Sequence, residues 1–320
     1  MTDSKIFRGA FETTGTPRFV MYTIQKLGLD AKHGFKLEIS YAVDQVLKDL
    51  ESVEVALQDG TADLIDIDWI SIARERAHGA PIVAFFPYGQ TVGSLVVRSD
   101  SAIRDLKDLK GRRIGVVRVM DKNWVIARAF CRKVHGFDLQ DEVTVVEALS
   151  KARLTHLLEQ GEVEGGFHFW QMIPPLTLTG KFRTVVDVAD LIQELAGTAA
   201  RVPIAAFITR DDVLKERPDV LQGFSRAFRE VAAFMSSDDQ IWEELGQVML
   251  KGADRPLVHA IRDGWRKMVM TEWTPETIRG IEQLFQELLA VGGKEVLGST
   301  TFLPAPSPRP SQGEGSFSRE

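Results

Sequence analysis

The chain has 320 residues, which at ~150 residues per domain is the length of about two domains, each able to bury its own core. Hydrophobic residues make up 44% and charged residues 26%, the balance of a water-soluble globular chain, which excludes disorder or membrane spanning over most of the length. With 39 Lys+Arg against 45 Asp+Glu the net charge is -6, no basic excess is present to neutralise a phosphate backbone, and nucleic acid is not an expected partner.

Short β-like runs alternate with helical stretches from the start. The pattern predicts strand Ile6–Phe11, helix Phe19–Leu27, strand Lys36–Ser40, helix Gln45–Gln58, strand Leu64–Trp69, helix Ile70–His78 and strand Ile82–Phe86. Such alternation implies a parallel sheet covered by helices on both faces. A second unit repeats it: strand Ser94–Arg98, a turn and short helix Ala102–Leu106, strand Arg113–Val117, helix Asn123–Val134, strand Val143–Val146, helix Lys151–Gln160, and strands Gly165–Phe169 and Thr184–Val188. Val202–Thr209 reads as a strand, and helices follow at Asp211–Glu216, Pro218–Met235, Ile241–Met249, Pro256–Met270 and Pro275–Val291, three of them opened by a proline in the first turn. The Pro-, Gly- and Ser-rich residues 303–320 read as a disordered tail.

A single cysteine, Cys131, allows neither an internal disulfide nor a Cys-rich zinc site. The longest apolar stretch, around Ala80 to Phe86, falls far short of the ~20 residues that span a bilayer. Met1-Thr2-Asp3-Ser4-Lys5 lacks the apolar region of a signal peptide, yet the first strand begins almost at once, as in a mature domain whose signal has been replaced by Met. Two localisations stand open: periplasmic if a signal peptide was removed, cytoplasmic otherwise.

Gly28-Leu29-Asp30 with His33-Gly34-Phe35-Lys36-Leu37-Glu38, and then the run Ala56 to Leu64, resemble the early signature of type II periplasmic-binding-protein domains of the sulfonate, nitrate and thiamine-precursor (NMT1-like) group. The segment Ile103 to Val116, with Asp108-Leu109-Lys110-Gly111 at its centre, is similar to the same group's DLKGK-x-IGV stretch, and Leu214-Lys215-Glu216-Arg217-Pro218-Asp219-Val220 to its LKE-x-PDV helix. The resemblance covers roughly residues 5 to 292 and implies an α/β fold of two Rossmann-like lobes around a ligand cleft with a helical C-terminal segment. Lobe I would comprise residues 1–90 and 203–292, lobe II residues 91–202, with crossover hinges near 88–95 and 201–205. It further implies a monomeric substrate-binding protein, not an enzyme, that closes on its ligand by a hinge and delivers it to the membrane permease of an ABC transporter. Strand carboxyl ends and helix first turns meet at such a cleft, where free N–H groups and helix dipoles favour an anion.

In the loop Glu12-Thr13-Thr14-Gly15-Thr16-Pro17, either Thr14 or Thr16 caps the next helix or the loop offers donors to a ligand anion, and Thr13 and Thr14 are the candidates. Trp69 lies at a strand's carboxyl end, either as core or as a cleft wall. Alternation puts Asp66 and Asp68 on one face of that strand, which favours capping or lobe-to-lobe salt bridges over acid–base chemistry. After strand Arg113–Val117, Lys122 and Trp124 stand where the resembled group commonly has small residues. Either they are a solvated lysine and a packing ring, or Lys122 meets a ligand acid and Trp124 an aromatic ring, with Asn123 capping the helix. Trp170 falls where the group has a W-E-P turn, while His168 and Arg201 are further candidate contacts.

Three tryptophans, a lysine and hydroxyl-bearing loops converging on one cleft suit a planar anionic, aromatic or heteroaromatic ligand. Aromatic sulfonates or carboxylates, vitamin precursors, and pyrroloquinoline quinone as a bound ligand fit that description, with no resident cofactor or metal expected. Sequence motifs for a serine-nucleophile elbow, a zinc protease, a P-loop or a dinucleotide fold are absent. Two alternatives remain: a Lys122-dependent enzyme of decarboxylase or Schiff-base type on the same fold, and a soluble sensor or carrier.

Overall fold

A computed structural model describes residues 5–42, 46–47 and 50–298. The tail at 303–320 and the leader residues Met1 to Ser4 lie outside the described residues. Strands Ile6–Glu12 and Lys36–Ala42 pair in parallel along their full length, from Ile6 opposite Lys36 to Glu12 opposite Ala42. A lone bridge between Gly9 and Leu64 carries this pair onto a three-stranded sheet ordered Ile65–Asp68, Ala205–Arg210, Ile82–Gly89. The other sheet runs Phe182–Asp187, Ser94–Arg98, Gly165–His168, Arg113–Val116, Thr144–Glu147.

Both sheets are mixed, which corrects the parallel sheet expected from alternation alone. The chain leaves the first sheet after Gly89 and enters the second at Ser94, then returns to lay Ala205–Arg210 antiparallel between two earlier strands. The returning strand runs opposite to both of its neighbours, so both of its ladders are antiparallel. Within the second sheet, Gly165–His168, Arg113–Val116 and Thr144–Glu147 stay parallel, linked by helices Lys122–Phe130 and Lys151–Gln160.

Several element predictions need correction. Of the helix expected over Gln45–Gln58, the described residues are helical over Ser52–Gln58, while Val46–Leu47 pairs antiparallel with Leu50–Glu51. The helix expected to run to Val134 stops at Phe130 and widens into a π-turn over Cys131–His135, closed by Gly136 at φ 75°. A helix at Val188–Ala196 was not expected, although its signals are present: Asp187 accepts from the Ala189 N–H, and Gly197 ends it at φ 60°.

One core is aromatic. Phe207 lies 4.9 Å from Phe224 and 5.0 Å from Phe228, both edge-on, so one side of the central strand is pinned to the long helix Pro218–Ser237. The other core is shared between the sheets. Helix Pro275–Leu297 packs on Trp69–Ala77 and also on Lys122–Phe130 and Val188–Ala196, joining residues of both in a single buried cluster. Its Phe285 ring lies 6.3 Å from Trp69.

The outgoing crossover is held at Gly93. Its N–H donates to Asn123 Oδ1 at 2.9 Å, and its carbonyl accepts from Val188 N. A Cβ on Gly93 would lie 1.6 Å from the His168 carbonyl oxygen, a backbone atom with no side-chain freedom to yield. Gly93→Ala is therefore expected to destabilise by ~1–3 kcal/mol, toward the upper end, through backbone displacement. A urea midpoint equal to that of the unaltered protein would refute this close approach.

Candidate functional site

The carboxyl ends of both sheets face one cavity of about 100 Å³. Four helices begin at it: Pro17–Lys26, Trp69–Ala77, Lys122–Phe130 and Lys151–Gln160. Three have side-chain caps, with Asp68 accepting from Ser71 N, Asp121 from Asn123 N, and Ser150 from Arg153 N. Their positive ends converge on the same space.

Charge in the lining is balanced. Arg74, Arg118, Lys122 and Lys151 supply four cations, and Glu12, Asp66, Asp68 and Asp121 four carboxyls. Two pairs cross from one sheet's loops to the other's. Lys151 Nζ lies 2.7 Å from Glu12 Oε2, and Lys122 Nζ lies 3.7 Å from Asp68 Oδ2. Both ammonium groups also sit over the Phe169 ring, at 5.2 and 5.4 Å from its centroid. Asp68 thus caps a helix and reaches the opposite lobe, the two roles its strand position suggested. Burial pushes the Asp121 carboxyl up to about 6, against the pull of the Asn123 N–H and the charges of Lys122 and Arg118.

Lys122 and Trp170 line the cavity. Trp170 is seated by helix Arg255–Met268, where a Cβ on Gly264 would come within 2.9 Å of the ring. Other expected residues lie elsewhere. Trp69 is fully buried and donates from Nε1 to the Pro203 carbonyl at 3.0 Å, fastening the return crossover. Trp124 is also fully buried, against Phe167 at 5.7 Å, with Nε1 donating to Gln140 Oε1 at 3.2 Å. Both are core rings, so the three-tryptophan cleft reduces to one.

Asn123 does not cap its helix; Asp121 does, while Asn123 is buried and holds Gly93. Thr13 and Thr14 are exposed outside the lining, because Thr13 N extends the strand pair to the Ala42 carbonyl. Gly15, Thr16 and Pro17 line the cavity instead, with Thr16 Oγ1 and the Tyr88 hydroxyl 2.9 Å apart. Arg201 is exposed and donates to the Lys267 carbonyl. His168 is fully buried behind the cleft, bonded to Thr155 Oγ1 at 2.8 Å.

Sequence reasoning did not single out Lys151, Glu12 or Arg118. The signal for Lys151 is its place in the first turn after a parallel strand, the same place that Lys122 holds. Beside it Leu149, at φ 63°, is the non-glycine residue with positive φ among the described residues, a strained rim position.

Two α/β lobes joined by paired crossovers, with helix N-termini gathered round the cleft between them, define the periplasmic-binding-protein fold. The chain belongs to the NMT1/THI5-like family, whose model matches residues 20–240. No curated protein sequence matches it. The fold is shared with the periplasmic aliphatic sulphonate binding protein SsuA from Escherichia coli, at 17% identity and a TM-score of 0.74 over 94% of this chain and 93% of that one. The alkanesulfonate-binding protein SsuA from Xanthomonas axonopodis pv. citri, bound to MOPS, is 17% identical with a TM-score of 0.73, over 94% of this chain and 99% of that one. A Candida albicans protein, the CA3427 gene product, described as having the generic periplasmic binding protein fold, is 14% identical with a TM-score of 0.61, over 94% and 98% of the two chains.

Proposed function

We propose that this protein is the solute-binding component of an ABC importer and captures a small organic acid by closing its two lobes. The observation that carries the reading is the convergence of four helix N-termini and four cationic side chains on one cavity between the lobes. The sulfonate-binding proteins that share the fold support a sulfonate or carboxylate as the acidic group. Lys122 is set as an ion-pair cation between Asp68 and the Phe169 face, an arrangement that favours binding over Schiff-base chemistry. The reading places the protein on the outer side of the membrane, facing a permease, and no helix among the described residues is long and apolar enough to cross that membrane itself.

The test is a thermal-shift and tryptophan-fluorescence screen against sulfonates and carboxylates. A ligand at 100-fold its Kd is expected to add ~2.7 kcal/mol and raise the melting temperature by several degrees. Lys151→Met is expected to abolish that shift, and Trp170→Phe to remove most of the fluorescence change while leaving the shift in place. Arg201→Ala, outside the cavity, is expected to change neither. A shift that survives Lys151→Met but is lost with Arg201→Ala would place the ligand elsewhere.

A further inference from the structure

The cleft holds as many carboxylates as cations, which is not what a site for a simple anion needs. Both lysines that would receive an anion are engaged by carboxylates of the other lobe, Lys151 with Glu12 and Lys122 with Asp68. All four side chains are shielded, with exposures of 9% and 16% in the first pair and 10% and 17% in the second. A mono-anion entering here takes the lysines and leaves those shielded carboxylates facing its own negative charge. Removing one partner from a shielded ion pair is costly because the charge left behind has lost its compensation. A purely cationic ligand fares no better, since it meets four helix N-termini.

We infer, on the reading that the cleft binds a small solute, that the solute is a zwitterion: its acidic group replaces the carboxylates at Lys122 and Lys151, and its ammonium replaces the lysines at Asp68 and Glu12. Each ion pair then opens into two half-sites, and every charge keeps a partner. The Phe169 ring, which already lies under both lysine ammoniums, and the adjoining Trp170 ring supply faces on which a ligand cation is stabilised. Because both pairs run between the two sheets' loops, a zwitterion that replaces them bridges the same gap.

Calorimetric titration of the full chain with matched compounds tests this: aminoethanesulfonate, ethanesulfonate and ethylammonium, with γ-aminobutyrate and butyrate as the carboxylate pair. In at least one pair the zwitterion is expected to bind about tenfold or more tightly than its anion. Asp68→Asn retains a helix cap but not the charge, and is expected to erase that preference while anion affinity holds or improves. Binding of ethanesulfonate and of butyrate by the unaltered protein, each as tightly as or more tightly than its own zwitterion, overturns the zwitterion and leaves the small-acid reading standing. Silence from every acid in both sets overturns the two together.

Discussion

On acidification below pH 6.5 the protein is expected to lose stability through His168 at ~1.4 kcal/mol per pH unit, roughly 2 kcal/mol by about pH 5. Burial, and then the charge of Lys151, drives the ring down to about 3 from its ordinary 6.5. The hydrogen bonds fix which neutral form is present. Phe169 N donates to Nδ1 at 3.0 Å, so Nδ1 carries no proton. Thr155 donates its hydroxyl hydrogen to the Lys151 carbonyl, so Nε2–H must be the donor in its 2.8 Å bond to Thr155 Oγ1. Protonating Nδ1 would set two donors against each other inside the protein. The unfolded chain takes up that proton near 6.5 and the folded one only near 3, so the contribution is complete above 6.5 and falls away between those values. His168→Gln keeps an acceptor and a donor but has no such proton to take up. Melting curves between about pH 8 and about pH 5 should show the variant's deficit at the alkaline end shrinking toward the acid end. Parallel curves would sink this account of the ring.

The same geometry explains what the sequence could and could not disclose. Lys122 was singled out because it stands, after strand Arg113–Val117, where the resembled group has small residues, and that first turn lies at the cavity. Trp124 follows it by two positions, a rotation of about 200° on an α-helix, so the residue beside a cavity-lining one points into the core. Trp69 follows Asp68, and where a strand turns one side chain to the cleft it turns its neighbour away. Both rings were placed near the site by sequence distance and removed from it by phase. The periodic elements were legible because burial sets their period, and strand Ala205–Arg210 was recognised as a strand. Its antiparallel place depends on where the chain had been some hundred residues earlier, which no local pattern records. Glu12 was passed over for a similar reason. It stands next to the threonines chosen as donors, and its role appears only when Lys151, 139 residues away in sequence, arrives at 2.7 Å.

Asp121 acts on stability with the opposite sign. Its carboxyl is buried, and burial raises it from 3.8 to about 6. The folded protein therefore holds this proton where the unfolded chain has released it. Between those two values stability from this group falls as pH rises, and above about 6 the whole penalty is in force, on the order of 3 kcal/mol. Asp121→Asn keeps a side-chain oxygen for the Asn123 N–H and removes the charge, so it is expected to stabilise by ~1–3 kcal/mol near pH 8, the gain fading to nothing near pH 4. The two groups cover overlapping ranges, and between about pH 6 and pH 4 the loss at His168 offsets the gain at Asp121. The unaltered protein should thus show a nearly flat acid limb from these two groups, and each variant should expose the other. With His168→Gln, stability rises as the pH is lowered through 6; with Asp121→Asn, it falls more steeply than in the unaltered protein. An Asp121→Asn variant whose melting temperature tracks the unaltered protein at every pH would show that this carboxyl ionises as it does in water. The cleft's balance of four carboxyls against four cations would then hold without the strain that burial places on one of them.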